Sequence, residues 1–396
     1  MAVPAGAPCR LGFDAIRALH NGTGLGNYAR HLLAGLAEAA PERELHLYTP
    51  RQADPRFARV AEMVAGHTHA PDSPWRMPVA RNLWRTFRLG RDAARDGIEL
   101  YHGLTQELPR DLPETGIKSV LTVPDLLYVT RPELFGAIDR QSYRWRYRWS
   151  VQHADAIIAI SSGTREDLVH HFGVAPSRIT VLPPAVDPCF ARPSTPADQR
   201  AARERHSLPD RYVIVVGTLE PRKNQRLAIA ALAEPAARDL ALVLVGRDGG
   251  SAASLHEVAR RLGVDARVHL LTNVGPRDLP SLVAGARVAS YLSEAEGFGM
   301  PIVEAQAAGV PVVATRGGNL EDAGGDAARY VARDDPAALA LAWQELSQDG
   351  GTRERAIVAS RIHAAAFEGR PLAVRLLAIY DAVHAGAPLP GSVAAT

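Results

Sequence analysis

The sequence predicts an α/β protein made of two Rossmann-like, doubly wound domains in tandem. Three observations carry this. At 396 residues the chain is long for one ordinary domain and suits two, each with its own core. Short apolar runs alternate with amphipathic stretches from end to end, which implies parallel sheets covered on both faces by helices. The alternation breaks once, in a segment rich in proline and charge, and then restarts.

In chain order, CRLGFDA (residues 9–15) reads as a first strand, the glycine-rich NGTGLGNYA (21–29) as a turn, and RHLLAGLAEAA (30–40) as an apolar-periodic helix. LHLYT, LYHG, KSVLTV, AIIAIS and ITVLP read as further strands, with helical segments such as SGTREDLVHHFG between them. The first domain is therefore expected over residues 1–188. PCFARPSTPADQRAARERHSLPD has no strand and reads as a linker, 189–210, with at most one short helix. YVIVVGT, LALVLVG, RVHLL, ARVASYL, VPVVAT and RYVA then supply the strands of a second domain, 211–365. Residues 366–396 hold an amphipathic helix, LAVRLLAIYDAVHA, able to pack on either domain, and a loose tail, GAPLPGSVAAT. In such sheets ligands bind beyond the carboxyl ends of the strands, so a cleft between the domains is the expected site.

Bulk properties narrow the function. A formal charge of +2 makes no case for nucleic acid as the main partner. Cys9 and Cys189 are the two cysteines, too few for a disulfide framework or zinc spacing, which fits a reducing cytoplasm. MAVPAGAPCR lacks the basic end and apolar core of a signal peptide. Apolar runs such as LALVLVG fall well short of the ~20 residues that span a bilayer, so membrane contact is peripheral at most. The fourteen histidines show no metal-ligand spacing.

Three stretches carry chemistry. In SEAEGFGMPIVEAQAAG (293–309), Pro301 suits the first position of a helix and Gly309 the left-handed residue that ends one. The first amides of that helix and its positive dipole end suit a phosphate. Gly297 and Gly299 let backbone approach a ligand closely. Glu296 and Glu304 are ill suited to phosphate but well suited to hydroxyl donors, and a phosphate flanked by polyols describes a nucleotide sugar. The plain alternative is a buried turn with two solvated glutamates. In GTLEPRKNQRL (217–227), Arg222 and Lys223 follow the first strand of the second domain. Lys118 and Lys223 are the only lysines among 45 basic residues, so a lysine placed here invites a role. A compact ammonium beside a planar guanidinium can neutralise a diphosphate leaving group. In NGTGLGNY (21–28), Gly22, Gly24 and Gly26 match neither a P-loop nor the dinucleotide fingerprint, yet a glycine loop there could close over a diphosphate.

Taken in order, these stretches make the chain resemble the GT-B glycosyltransferases of family 4, a retaining group that uses nucleotide sugars. The resemblance runs over roughly residues 10–385. It rests on E-x(7)-E through EGFGMPIVEA followed by AAGVPVVAT, on GTLEPRKN, and on GFDAIRALHNGTGLGNYAR, LYHGLTQELP, ADAIIAISSGTREDLVHHFGV and ITVLPPAVDPCF. It implies a GT-B fold with the two domains facing a central cleft, and transfer of a hexosyl group to an acceptor hydroxyl. By the same resemblance Glu304 holds ribose hydroxyls and Glu296 the donor sugar, while Arg222 and Lys223 bind and stabilise the diphosphate. The backbone of Phe298, Gly299, Met300, Pro301 and Ile302 completes the phosphate and sugar site. Gly24 and Gly26 approach from the first domain, and the base lies near Asn273 and Val274. No metal and no tightly bound cofactor are implied.

One position departs from the family. KSVLTVPDLLYV has Pro124 where a histidine that contacts the donor sugar is usual, before Asp125. Another group takes that role, the donor differs, or the chain is a weak or inactive nucleotide-sugar-binding partner. A GT-B phosphorylase or epimerase is the enzymatic alternative; a phosphorylase with a lysine-bound pyridoxal cofactor is disfavoured, because with Lys223 committed Lys118 alone would remain to hold it. For the acceptor, Asp125, His102 and Asn21 are candidates at strand ends. RQSYRWRYRWSVQHA (140–154) places Trp145, Trp149 and His153 on one helical stripe and Arg144 and Arg148 on another. It is either a helix with core aromatics and solvated arginines, or a surface for an anionic membrane or acceptor.

Overall fold

The computed structural model describes residues 9–63, 67–72 and 77–391. They form two compact units, the first from residues up to Ala185 together with Gly369 onward, the second from Val186–Glu368. In the first unit β1 (Arg10–Asp14), β2 (Glu44–Tyr48), β3 (Thr68–His69), β4 (Leu100–Gly103), β5 (Lys118–Val123), β6 (Ala156–Ala159) and β7 (Ile179–Val181) form one parallel sheet, ordered β3-β2-β1-β4-β5-β6-β7. Alternate residues serve its two faces. Val120 and Ile158 join Leu11, Phe13 and Leu100 on one side, while Leu121 and Ile157 join Tyr101 and Trp84 on the other.

The first of these layers is closed by two helices distant in sequence, Gly24–Ala39 and Gly369–Ala385. The second contributes Leu372, Leu376, Ile379, Tyr380 and Val383 to the same core. Gly35 permits the contact: a Cβ there would lie 2.9 Å from the Gly369 carbonyl oxygen. The residues that follow are held as well, since Thr180 donates to the Pro390 carbonyl at 2.7 Å and Leu389 packs on the core. The expected loose tail is thus anchored through 390, and residues 392–396 lie outside the described residues.

In the second unit β8 (Tyr212–Val216), β9 (Ala241–Val245), β10 (Val268–Leu271), β11 (Val288–Tyr291), β12 (Val312–Thr315) and β13 (Ala328–Val331) are parallel in the order β10-β9-β8-β11-β12-β13. Val213, Val215, Leu242, Leu244, Val288 and Val313 face a core shared with helices Gln225–Ala233 and Pro336–Ser347. Both sheets reverse strand order once, between β1 and β4 in the first and between β8 and β11 in the second. Loops leaving the carboxyl ends of those strands are where α/β sheets bind ligands.

Residues 189–210 are not a free linker. They belong to the second unit and hold helices Pro188–Ala191 and Pro196–Arg205. The prolines that suggested a linker start helices: Pro196 occupies the first turn, and Thr195 and Asp198 cap it reciprocally. Ser194 ties this segment to the helix Leu279–Ala284, its hydroxyl donating to Ser281 Oγ at 3.1 Å. No helix of the described residues is long and apolar enough to cross a membrane.

Candidate active site

The two loops at the switch point of the second sheet are bonded to each other. After β8 the chain turns at Pro221–Lys223, and Asn224 takes a left-handed conformation (φ 50°) before helix Gln225–Ala233. After β11 it runs through Ser293 to Glu296. The Arg222 carbonyl accepts from Glu294 N at 2.9 Å and Ser293 Oγ at 3.2 Å, so the two loops are set as one piece.

Their side chains converge on one oxygen. Glu296 Oε1 accepts from Arg222 Nη1 at 2.5 Å, Lys223 Nζ at 2.6 Å and Ser293 Oγ at 2.5 Å. Lys223 also donates to Tyr291 Oη at 2.7 Å, and Arg222 to Glu220 at 2.7 Å and to the Ala295 carbonyl at 2.6 Å. The Glu296 backbone is fixed by its N–H to Gly318 O at 3.3 Å and its carbonyl from Asn319 Nδ2 at 2.9 Å. Side chains of Lys223 and Glu296 are each 13% exposed and that of Arg222 20%. Burial would raise the Glu296 carboxyl, but Lys223 and Arg222 hold it below the usual carboxylate range. Burial, with Arg222 beside it, lowers the Lys223 ammonium, against the pull of Glu296. Arg222 and Lys223 are balanced by Glu296 and Glu220, so an anion enters this cluster by displacing a carboxylate.

Beside it stands helix Met300–Ala307. Gly299 caps its start at φ 115°, a conformation that favours glycine, and a Cβ there would lie 3.1 Å from Leu320. No side chain caps this end and Pro301 has no N–H, while Ile302 N–H donates back to Gly299 O at 3.0 Å. Phe298 and Ile302 are buried, so these two can offer a ligand backbone only. Glu304, one turn into the helix, is partly buried and has no hydrogen-bond or ion-pair partner among the described residues. Burial, and then the Asp187 carboxylate, push its carboxyl up to about 7. Asn273 and Val274 lie after the edge strand β10, with β9 between it and β8, and share no bond with the Glu296 cluster.

The first unit distributes its candidates differently. Gly24 and Gly26 are not in a loop: helix Gly24–Ala39 begins at Gly24. Gly26 packs so closely on the preceding turn that a Cβ would fall 1.8 Å from the Asn21 carbonyl oxygen, whereas a Cβ on Gly24 meets nothing. The Asn21 side chain closes that turn, accepting from Thr23 N and Oγ1 at 2.6 Å. His102 is fully buried, with Nδ1 at 2.6 Å from Tyr380 Oη and Nε2 at 2.8 Å from Thr122 Oγ1, so both nitrogens serve the core instead of facing an acceptor. Burial lowers its imidazole to about 3. Asp125 accepts from Leu127 N at 3.1 Å, and its carbonyl takes the Gln106 amide at 2.5 Å. Pro124 is buried, and its carbonyl accepts from Thr164 at 3.3 Å. Among the described residues no group of three His, Cys, Asp or Glu is placed to hold a metal ion.

Sequence reasoning passed over Tyr291, Ser293, Glu220 and Asn319. Tyr291 ends a buried strand and carries no mark of its own in the sequence; Asn319 is marked only by the RGGN turn, with φ 67°.

Comparison with known proteins agrees with this architecture. The family model described as "Glycosyl transferases group 1" matches residues 198–363, and the one described as "Glycosyltransferase Family 4" matches residues 22–190. The chain is 29% identical over 344 residues to O-antigen chain mannosyltransferase B of Escherichia coli, covering 84% of this chain and 89% of that one. It is 31% identical over 241 residues to D-inositol 3-phosphate glycosyltransferase of Corynebacterium diphtheriae, covering 58% and 56%. The chain thus spans little more than half the length of that relative. A crystal structure of Anabaena Alr3699/HepE with UDP and glucose matches with a TM-score of 0.68 at 21% identity, over 93% of this chain and 98% of that one. A glycosyltransferase from Rickettsia africae matches at 0.73 and 15% identity, over 94% and 98%. At such identities these structures show the fold, which is GT-B. With the two family models spanning most of its length, the chain belongs to the group 1, family 4 glycosyltransferases.

Proposed function

We propose that the chain transfers a sugar from a nucleotide-diphosphate sugar to an acceptor hydroxyl with retention at the anomeric carbon. The observation that carries this is the cluster of Arg222, Lys223 and Glu296 at the switch point, beside a helix start with no side-chain cap. The solved structures of Alr3699/HepE with UDP and with UDP-glucose support a nucleotide-sugar ligand for this fold. On this reading the diphosphate displaces Glu296 from Arg222 and Lys223, and the freed carboxylate takes donor-sugar hydroxyls. Glu304 takes ribose hydroxyls, the Phe298–Ile302 backbone lines the diphosphate, and Asn273 and Val274 flank the base.

The acceptor oxygen attacks the anomeric carbon on the face the diphosphate leaves. The bond from that carbon to the diphosphate oxygen breaks, its electron pair stays on the diphosphate, and the acceptor proton passes to the departing oxygen. Arg222 and Lys223 stabilise the charge that develops there, so neither a metal ion nor a bound cofactor is required. On this reading Asp125 and Asn21 are the acceptor-side candidates. The reading places the protein in the cytoplasm, with peripheral membrane contact at most.

A second reading rests on Pro124, which cannot donate a hydrogen bond: a nucleotide-sugar-binding partner without turnover. A panel of UDP-, GDP-, ADP- and dTDP-sugars tested for binding, slow hydrolysis and transfer separates the two. The enzyme reading expects turnover that persists in chelator and falls at least ~100-fold in Lys223→Ala with the fold intact. Binding with no hydrolysis or transfer favours the partner, and full turnover in both Lys223→Ala and Glu296→Ala removes the site assignment.

A further inference from the structure

Helix Ala137–His153 carries arginines on two faces with opposite fates. Arg146 turns inward and pairs with Glu107 at 3.1 Å. Arg140, Arg144 and Arg148, spaced four apart and so stacked along one stripe, have no carboxylate partner among the described residues. They line a 390 Å³ groove, whose far wall is His171 and Phe172 from helix Ser162–Phe172. No carboxylate lines this groove.

Like charges at this spacing repel one another, so the stripe is destabilising until something anionic lies along it. Two buried donors point to the same occupant. Tyr128, 5% exposed, lines the groove with a hydroxyl that has no hydrogen-bond partner, and the buried Nε of Arg140 has none either. Buried donors of this kind are ordinarily satisfied, and a phosphoryl oxygen is an acceptor suited to either. Guanidinium groups in a row match the spread oxygens of phosphate or diphosphate better than any single carboxylate does.

We propose that the groove between Arg140, Arg144, Arg148 and Tyr128 is a binding site for a phosphate or diphosphate group, separate from the switch-point cluster of the second unit. The group is carried either by a soluble phosphorylated molecule or by a lipid headgroup; the recognition chemistry is the same. This goes beyond the transfer reading and does not depend on it.

The test uses the full chain and its R140Q/R144Q/R148Q variant, titrated calorimetrically with inorganic pyrophosphate and sedimented with phosphatidylglycerol or phosphatidylcholine vesicles. Lys223→Ala, titrated in parallel, identifies pyrophosphate that binds at the other cluster. The triple variant is expected to lose a pyrophosphate site that Lys223→Ala retains, with affinity falling at least ~10-fold, and wild-type binding weakening as salt rises. If phosphatidylglycerol binding falls with it and phosphatidylcholine binding does not change, the source is a lipid headgroup; if vesicle binding is unchanged, it is a soluble phosphorylated ligand. Should the triple variant misfold by circular dichroism, Arg144→Gln and Tyr128→Phe give the same reading with smaller losses. Unchanged binding of both pyrophosphate and phosphatidylglycerol in the folded variants overturns the proposal. Absent nucleotide-sugar turnover would count against the transfer reading alone.

Discussion

Glu304→Gln isolates one proton. In the unfolded chain a glutamate titrates near 4.5, while burial and Asp187 put the folded Glu304 at about 7. Between these values the folded state binds more protons than the unfolded one, so stability falls as pH rises through this window. At 1.36 kcal/mol per tenfold change in proton affinity, the linked effect is at most about 3 kcal/mol, and less where water reaches the carboxyl. Glutamine resembles the protonated acid, so the variant's advantage over wild type should be under about 1 kcal/mol at pH 5 and larger, up to about 3 kcal/mol, at pH 8. Hydrogen exchange of peptides from the second unit, corrected for intrinsic rates, reads that unit alone. A ligand whose hydroxyls donate to Glu304 needs the carboxylate. UDP should therefore bind wild type up to ~10-fold more tightly at pH 8 than at pH 6, beyond any change in the variant, which controls for the phosphate's own titration. Equal stability differences at pH 5 and pH 8 would refute the argument that this carboxyl is held protonated by its surroundings.

Two further outcomes follow from the first unit. His102 is buried neutral, so acid must charge it at a cost: stability is full above pH 6.5 and falls below it, by about 2 kcal/mol at pH 5. Its imidazole signals should not titrate between pH 5 and 8 by NMR, and a normal titration there would contradict the burial. Gly26→Ala sets a Cβ against the Asn21 carbonyl oxygen and should cost the first unit at least ~2 kcal/mol, whereas Gly24→Ala, opening onto empty space, should change it by no more than ~1 kcal/mol. Urea unfolding of the two variants, compared side by side, separates a packing glycine from a permissive one.

Much of the second unit was legible because its chemistry and its local structure coincide. Arg222, Lys223 and Glu296 sit in short loops after strong apolar strands, so their convergence follows from strand order once a parallel sheet is accepted. Tyr291 and Ser293 were not legible, since a tyrosine ending a buried strand and a serine in a turn look the same whether or not they hold a lysine or a carboxylate. In the first unit, glycines at a helix start were read as a loop, because composition does not tell flexible glycine from glycine required by a close crossing at Gly26. His102 misled for another reason. In a strand covered on both faces no position is marked as the exposed one, and its partner Tyr380 lies 278 residues away. The proline-rich segment 189–210 shows that prolines open helices as readily as they end them.

Helix Gly369–Ala385 also bears on how the protein is made. The core of the first unit needs Leu372, Leu376, Ile379 and Tyr380, which emerge from the ribosome only after the whole of Val186–Glu368. At ~5–20 residues per second, synthesis of the second unit leaves the first exposing an unfilled apolar face for roughly ten seconds or more. The nascent first unit is therefore the aggregation-prone partner, and a chain cut before Gly369 would keep the residues of the switch-point cluster yet leave the first unit without a lid on its core.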